Sequence, residues 1–465
     1  MSLFGFMFSV RARVRLVAIM LLVGASSRAQ MPDVKGTMPE DVLPGLRKLL
    51  EAASRQSPQF LLKQIEMEMA AAQVTAARAR MLPSLNTEMA YAVSRSAISG
   101  DTQTQTTNNG FFYTFNFNQP LFYFGELKRG LDIANLRETM AQRGFAEARR
   151  VLFLLLRQQY LGLVARKSAL LHARATLDLA RMEIGSARTR VELGIAPGGD
   201  VSAREMLLVE RQLEFERVEE EYNRSRRALG RLAGFAEFPD DDIASAIPKP
   251  AVPLDTAAAV VGESLRRGGK NNFLAEIAEM RVREADLNYR NARVRQLPKF
   301  NIAAAHSLRN NTSANETSVS QTGITQQTVE VNARWLLWDS GASRAARLDA
   351  RATRRIAERQ LETTLEVNVD EILSQQKRLE FAQRGLAIFD QREEGARSVL
   401  RTTEADVAYG TTARVAIDQV QRDLYAAEAA NANARATYFS EWSALVSLAG
   451  VDPLASVDPT SRHGR

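Results

Sequence analysis

The chain is written twice, and that duplication constrains its fold more than any other feature, because a recurring segment must build the same substructure twice. The segment from Ala77 through Pro83 to Asn86 returns from Ala292 through Pro298 to Asn301, an offset of 215 residues. Leu121–Gly125 returns as Leu337–Gly341 at an offset of 216, as do Gly194 in Gly410 and Leu232-Ala-Gly234 in Leu448-Ala-Gly450. So constant an offset, with one loop indel, identifies a tandem duplication.

Each copy has the same plan. A helical stretch ends at Pro83 or Pro298, where proline blocks continuation. Two alternating segments follow, separated by a polar stretch (99–109 and 310–328) and closed by Gly125 or Gly341. A long helical region comes next. The expected organisation is a first repeat at 30–235, with strand pair 84–123 and helical hairpin 126–232, and a linker at 236–253. A second repeat at 254–450, with strand pair 299–338 and hairpin 342–448, precedes a tail at 451–465. Pro248-Lys-Pro250-Ala-Val-Pro253 reads as a stiff linker.

The long helices carry heptads. Leu156, Leu163, Leu170, Leu177, Ile184 and Val191 recur every seven residues, and their counterparts are Ile372, Leu379, Leu386, Glu393, Leu400 and Val407. After Gly194 and Gly410 the spacing resumes at Val201, Leu208, Phe215, Tyr222 and Leu229, matched by Ile417, Leu424, Asn431, Tyr438 and Leu445. Such repeats imply coiled-coil-like packing. A helix from Glu126 to Leu193 would be roughly 100 Å long.

Heptads alone fit a scaffold rod; the alternating segments do not. Phe111, Tyr113, Phe115, Phe117 and Leu121 share one face, opposite Thr114, Asn116 and Asn118. Their counterparts are Val329, Val331, Ala333, Trp335 and Leu337, opposite Glu330, Asn332 and Arg334. Period-two alternation with aromatics near the ends is the pattern of a transmembrane β-strand. Four strands cannot close a barrel, which takes at least about eight, and open edges in a bilayer leave backbone groups unpaired. Several copies must therefore pool their strands.

The N-terminus fits export. Arg11, Arg13 and Arg15 precede a short apolar run, and Ser27-Arg28-Ala29 supplies small residues at a cleavage site, so 1–29 reads as a signal peptide. The net charge is +7, and without that segment +3, too little to argue for a nucleic-acid partner. The chain has no Cys, hence neither a disulfide nor a lipid-bearing thiol. No catalytic group, cofactor loop or metal-ligand spacing stands out, so the chain is not expected to be an enzyme.

Taken together, the Leu-Pro junctions, the glycines closing each strand pair, the duplicated helices and the closing Leu-Ala-Gly resemble the outer-membrane efflux protein family, the TolC-like channels. The resemblance implies a mixed fold, a long all-α, coiled-coil-like tunnel plus a membrane β-barrel. Three chains would share a twelve-stranded barrel in the outer membrane, with the helical part in the periplasm. It implies an exit duct of a tripartite efflux pump or type I secretion system, a homotrimer working with a periplasmic adaptor and an inner-membrane transporter of RND or ABC type. It places the adaptor at the tips, Gly194 and Gly410 here, and a tunnel constriction at an acid shortly after each. The first copy supplies Asp200; the second has Ala416 and Gln419 there, with Asp418 one helical step out of phase. A periplasmic coiled-coil scaffold or adaptor without a barrel is the competing reading.

Overall fold

The computed structural model describes residues 37–98, 104–195, 197–250, 254–270, 272–314, 318–413 and 415–454. The expected signal peptide and most of the tail lie outside the described residues. In chain order the elements are α1 (Pro39–Val42), α2 (Pro44–Gln56), α3 (Pro58–Ala79), β1 (Ser84–Ile98), β2 (Thr104–Phe122), α4 (Glu126–Glu192) and α5 (Gly199–Ala233). A short 3₁₀ turn, Asp240–Asp242, precedes α6 (Leu254–Arg266), α7 (Phe273–Val294), β3 (Lys299–Ala314), β4 (Val319–Arg334), α8 (Ala342–Ala408) and α9 (Val415–Leu448). Both long helices, α4 and α8, run 67 residues.

Two compact units result. The first holds residues 56–149 and 273–366 and is built on an antiparallel sheet in the order β1-β2-β3-β4. The pairing of β2 with β3 joins the two repeats into this one sheet. The strands outrun the sequence reading at one end: the polar stretches 99–109 and 310–328 are strand at 104–109, 310–314 and 319–328, with Ser318 the one described residue in them that is not. Alternation reveals a strand only where its two faces differ, and here both are polar. Thr-rich backbone still continues the hydrogen-bonded ladder. At the other end β4 stops at Arg334, short of the expected 338. Arg334 pairs with Lys299, and the next partner would be Pro298, which has no N–H to offer.

Helices flank this sheet in sequence and pack beside one another in the same unit. Phe60 of α3 stacks near Phe145 of α4, ring centroids 5.6 Å apart. Across the repeats, α7 lies on α4: Arg137 pairs with Glu284 at 2.6 Å, Arg143 with Glu276 at 2.9 Å, and Arg129 Nε donates to Asn291 Oδ1 at 2.6 Å. The order of contacts, rising along α4 and falling along α7, makes the two helices antiparallel.

The second unit holds the described residues up to 55, 150–272 and those from 367 onward. The heptad positions do what their spacing demands: Leu156, Leu163, Leu177 and Ile184 of α4, and Ile372, Leu379 and Leu386 of α8, are buried. Tyr222, Leu229, Leu424, Tyr438 and Leu445 of the return helices are buried too. Glu393 and Asn431, the two heptad positions that are not apolar, meet: the Asn431 amide donates to Glu393 and, at 3.0 Å, to Asp390. A single polar pair in an apolar seam fixes helix register, since any slip would bury the two groups unpartnered. The repeat counterparts Leu177 and Phe215 have no such device, so the two hairpins differ here.

Between the repeats the chain packs on α4 through Tyr160. Its hydroxyl donates to the Asp242 carbonyl at 2.9 Å and accepts from the Ala244 amide at 3.2 Å. Gly45 of α2 permits this closeness; a Cβ there would lie 1.8 Å from the Asp242 oxygen.

Candidate functional site: sheet faces, helical tips and a buried arginine

Pairing register sorts the strand side chains into two faces. On one, Tyr91 lies opposite Phe111 and Met89 opposite Tyr113, which in turn lies opposite Leu308. Ile302 lies opposite Val331 and Ala304 opposite Val329, extending this apolar face to the far edge. The other face carries Glu88, Thr114, Asn116, Ser307, Glu330, Asn332 and Arg334, in the phase the sequence indicated. Val329 and Val331 are 80% and 70% exposed, and Leu85 is 71% exposed. An exposed surface this rich in apolar side chains marks a face that meets lipid or another chain. Thr87, Thr325, Gln327 and His306 interrupt it, the last within 3.4 Å of the Tyr113 hydroxyl. Both outer edges, β1 and β4, present unpaired backbone.

The junctions between sheet and helices use the residues singled out in the sequence. Pro83 and Pro298 stand just ahead of β1 and β3, and Gly125 and Gly341 have φ of +77° and +89° just ahead of α4 and α8. Phe124 and Ser340, at +50° and +52°, share the left-handed turn, which glycine relieves at its second position. In the second copy Asp339 caps α8, accepting from the Ser343 amide at 2.8 Å and from its hydroxyl. Those Ser343 hydrogen bonds hold the Asp339 carboxyl below its ordinary range.

At the helical turns, Gly194 and Gly410 have φ of +71° and +74°. Gly194 N donates to Val191 O and Ile195 N to Arg190 O, at 3.0 and 2.8 Å; Gly410 and Thr411 repeat this on Val407 and Asp406, at 3.1 and 3.0 Å. Both are Schellman caps. Neither glycine has a heavy atom within 4 Å of where a Cβ would stand. Around them Leu193, Ile195 and Tyr409 are 67%, 72% and 83% exposed. Asp200 and Asp418 sit in the first turns of α5 and α9, where the helix dipole favours an acid, and Asp200 lies 3.9 Å from Arg204.

The profile of the family "Outer membrane efflux protein" matches residues 49–235 and 270–451, one block per repeat. The chain belongs to the outer membrane efflux protein family. Among solved structures, its fold is similar to that of the outer-membrane channel OprN, with TM-score 0.67, 17% identity, and 92% of this chain and 96% of that one covered. A membrane protein from Pseudomonas aeruginosa gives TM-score 0.65 at 20% identity, with 90% and 94% covered. The MtrE outer membrane channel of Neisseria gonorrhoeae gives 0.63 at 16%, with 88% and 90% covered. No curated protein matches the chain by sequence.

This outer membrane efflux protein therefore carries a helical tunnel fold joined to barrel strands, and its location is the outer membrane. Among the described residues no helix is long and apolar enough to cross a membrane, and no cluster of His, Asp or Glu has the arrangement to hold a metal ion. The apolar sheet face yields a direct test. Phe115→Arg puts a charge on it and should cost about 2–4 kcal/mol at mid-bilayer, whereas Asn116→Arg, on the opposite face, should be much milder. Yield of heat-modifiable protein in outer membranes measures both; equal losses would refute the assignment of faces.

Sequence reasoning overlooked Arg157. Its side chain is fully buried on α4, held by Glu40 at 2.6 and 3.0 Å and by Asp452 at 2.5 and 3.1 Å. The guanidinium thus ties both the first described helix and the last described turn to α4. Burial alone would lower its pKa, but Asp452 and then Glu40 more than compensate and raise it. In the sequence Arg157 reads only as a charge ending the apolar run at 151–156, and its repeat counterpart is Leu373, so neither motif nor repeat reveals it.

Proposed function

We propose that this protein is the passive exit duct of a tripartite efflux pump or type I secretion system, assembled as a homotrimer. One observation carries the reading: a four-stranded sheet with an exposed apolar face, a polar opposite face and two open edges. In lipid such edges must be paired, and three copies supply a closed twelve-stranded barrel with the polar face lining the duct. The family assignment supports the same reading against a scaffold without a barrel. A periplasmic adaptor at the Gly194 and Gly410 turns, and an inner-membrane transporter of RND or ABC type, complete the machine. The proposed organisation is a signal peptide at 1–29, repeats at 30–235 and 254–450, a linker at 236–253 and a tail at 451–465.

The experiment is light scattering of the detergent-purified protein together with conductance in planar bilayers. A trimeric mass and discrete channels are expected; a monomer extracted by salt alone would support the scaffold. The constriction is tested in the same bilayers. If Asp200 narrows the duct, Asp200→Ala lowers cation preference and raises conductance with trimer yield unchanged. Loss of trimer with unchanged conductance would leave Asp200 as a helix-start acid only.

A further inference from the structure

The pairing register shows what the polar face of the sheet carries at each level. Along the described strands that face is built mostly of hydroxyl, amide and small side chains. Glu88, Lys299, Glu330 and Arg334 put charge on it in the half nearer the helices, where Lys299 is paired with Glu126 at 2.8 Å. Beyond the row of Glu88, toward the hairpin ends, Arg309 is the sole charge on this face among the described residues. No described carboxylate pairs with it.

Two apolar side chains share its row. Phe112 of β2 lies opposite Arg309 on one side and Ile324 of β4 on the other. Alternation calls for polar residues at both positions, and Phe112 is the one aromatic on the polar face among the described strand residues. The Arg309 guanidinium stands over its ring, 5.9 Å from the centroid. The other neighbours of Phe112 on this face, Ala90, Gly110 and Thr114, are small, and Ile324 is 54% exposed. A cation set between apolar groups is screened less by water than one in open solvent, so its field reaches further. Its planar edge accepts a carboxylate or sulfonate in paired hydrogen bonds. An aromatic ring on the same ligand would pack against Phe112 and Ile324.

We infer that Phe112 and Arg309 form a selectivity ring inside the duct, one pair from each copy, favouring organic anions that carry an aromatic ring. This names a substrate class for the proposed duct and rests on the trimeric barrel. Twelve strands at about 4.8 Å spacing and about 40° tilt leave a bore of roughly 24 Å between backbones, which the side chains narrow. The field of a charge on the wall extends about 8 Å at physiological ionic strength, most of the way to the axis. The ring therefore sorts passing solutes by charge without closing the duct.

The test is the reversal potential of purified protein in planar bilayers under a potassium chloride gradient, with naphthalenesulfonate and methanesulfonate added as blockers. Arg309→Gln should lower the anion-to-cation permeability ratio about fivefold at about 0.1 M salt, and scarcely at about 1 M, where screening confines each charge to about 3 Å of the wall. Ile324→Glu neutralises Arg309 without removing it. It should lower the ratio at least as far, and it guards against a glutamine variant that fails to assemble. Arg309→Lys should keep the parent's ratio. Naphthalenesulfonate should block the parent at lower concentration than methanesulfonate, and Phe112→Leu should abolish that difference while leaving the permeability ratio near the parent's. Open channels of Arg309→Gln or Ile324→Glu with the parent's ratio at low salt overturn the ring and leave the duct standing. So does a Phe112→Leu channel that still distinguishes the two sulfonates. Absence of discrete channels from the unsubstituted protein overturns the duct reading itself.

Discussion

Replacing Arg157 with methionine should destabilise the helical unit by roughly 3–5 kcal/mol, the effect of removing one partner from a buried ion pair. The side chains of Glu40 and Asp452 are 6% and 1% exposed, so the substitution strands two carboxylates away from water. Methionine fills much of the volume and answers neither charge. Arg157→Lys should fall between, because an ammonium cannot engage both carboxylates with the paired geometry of a guanidinium. A triple variant, Arg157→Met with Glu40→Gln and Asp452→Asn, should recover much of the loss, since removing all the charges removes the desolvation penalty too. Urea titration in detergent, with proteolysis of the terminal segments as readout, separates these outcomes. A methionine variant as stable as the parent would show that the triad does not hold the segments.

How much of this was legible beforehand follows from which physics leaves a periodic trace. The heptads at Leu156 to Val191 and the alternation at Phe111 to Leu121 are periodic, and burial and register follow them. Gly194 and Gly410 were legible because a coiled helix that stops and restarts needs a left-handed residue at the turn. The extensions of the strands to Thr104 and Val319 were not, since a strand with two polar faces has no alternation to read. The Arg157 triad joins residues 117 and 295 positions apart in the chain, and such contacts leave no local pattern. Glu393 and Asn431 are the instructive middle case. Each looks like a flaw in its own heptad, and only their meeting across the hairpin shows that the two departures are one device.

Gly194→Trp and Gly410→Trp should leave expression, assembly and outer-membrane location intact while abolishing export and adaptor cross-linking. The backbone cost is small: a side chain at positive φ costs about 1 kcal/mol, and the helices that meet at each turn bury far more than that. Sterically there is room, because no heavy atom lies within 4 Å of either Cβ position, so the indole projects outward instead of into the protein's own packing. Outward is where Leu193, Ile195 and Tyr409 already stand exposed, apolar groups that gain by meeting a partner surface. A bulky group between them would hold that surface away from the backbone. Gly194→Ala and Gly410→Ala carry the same backbone cost without the bulk, and should export nearly as well as the parent. That contrast separates docking from capping. If the tryptophan variants export normally, the turns are not the adaptor's seat. If alanine and tryptophan fail alike and no trimer forms, the glycines act through the Schellman caps alone and the adaptor must bind elsewhere.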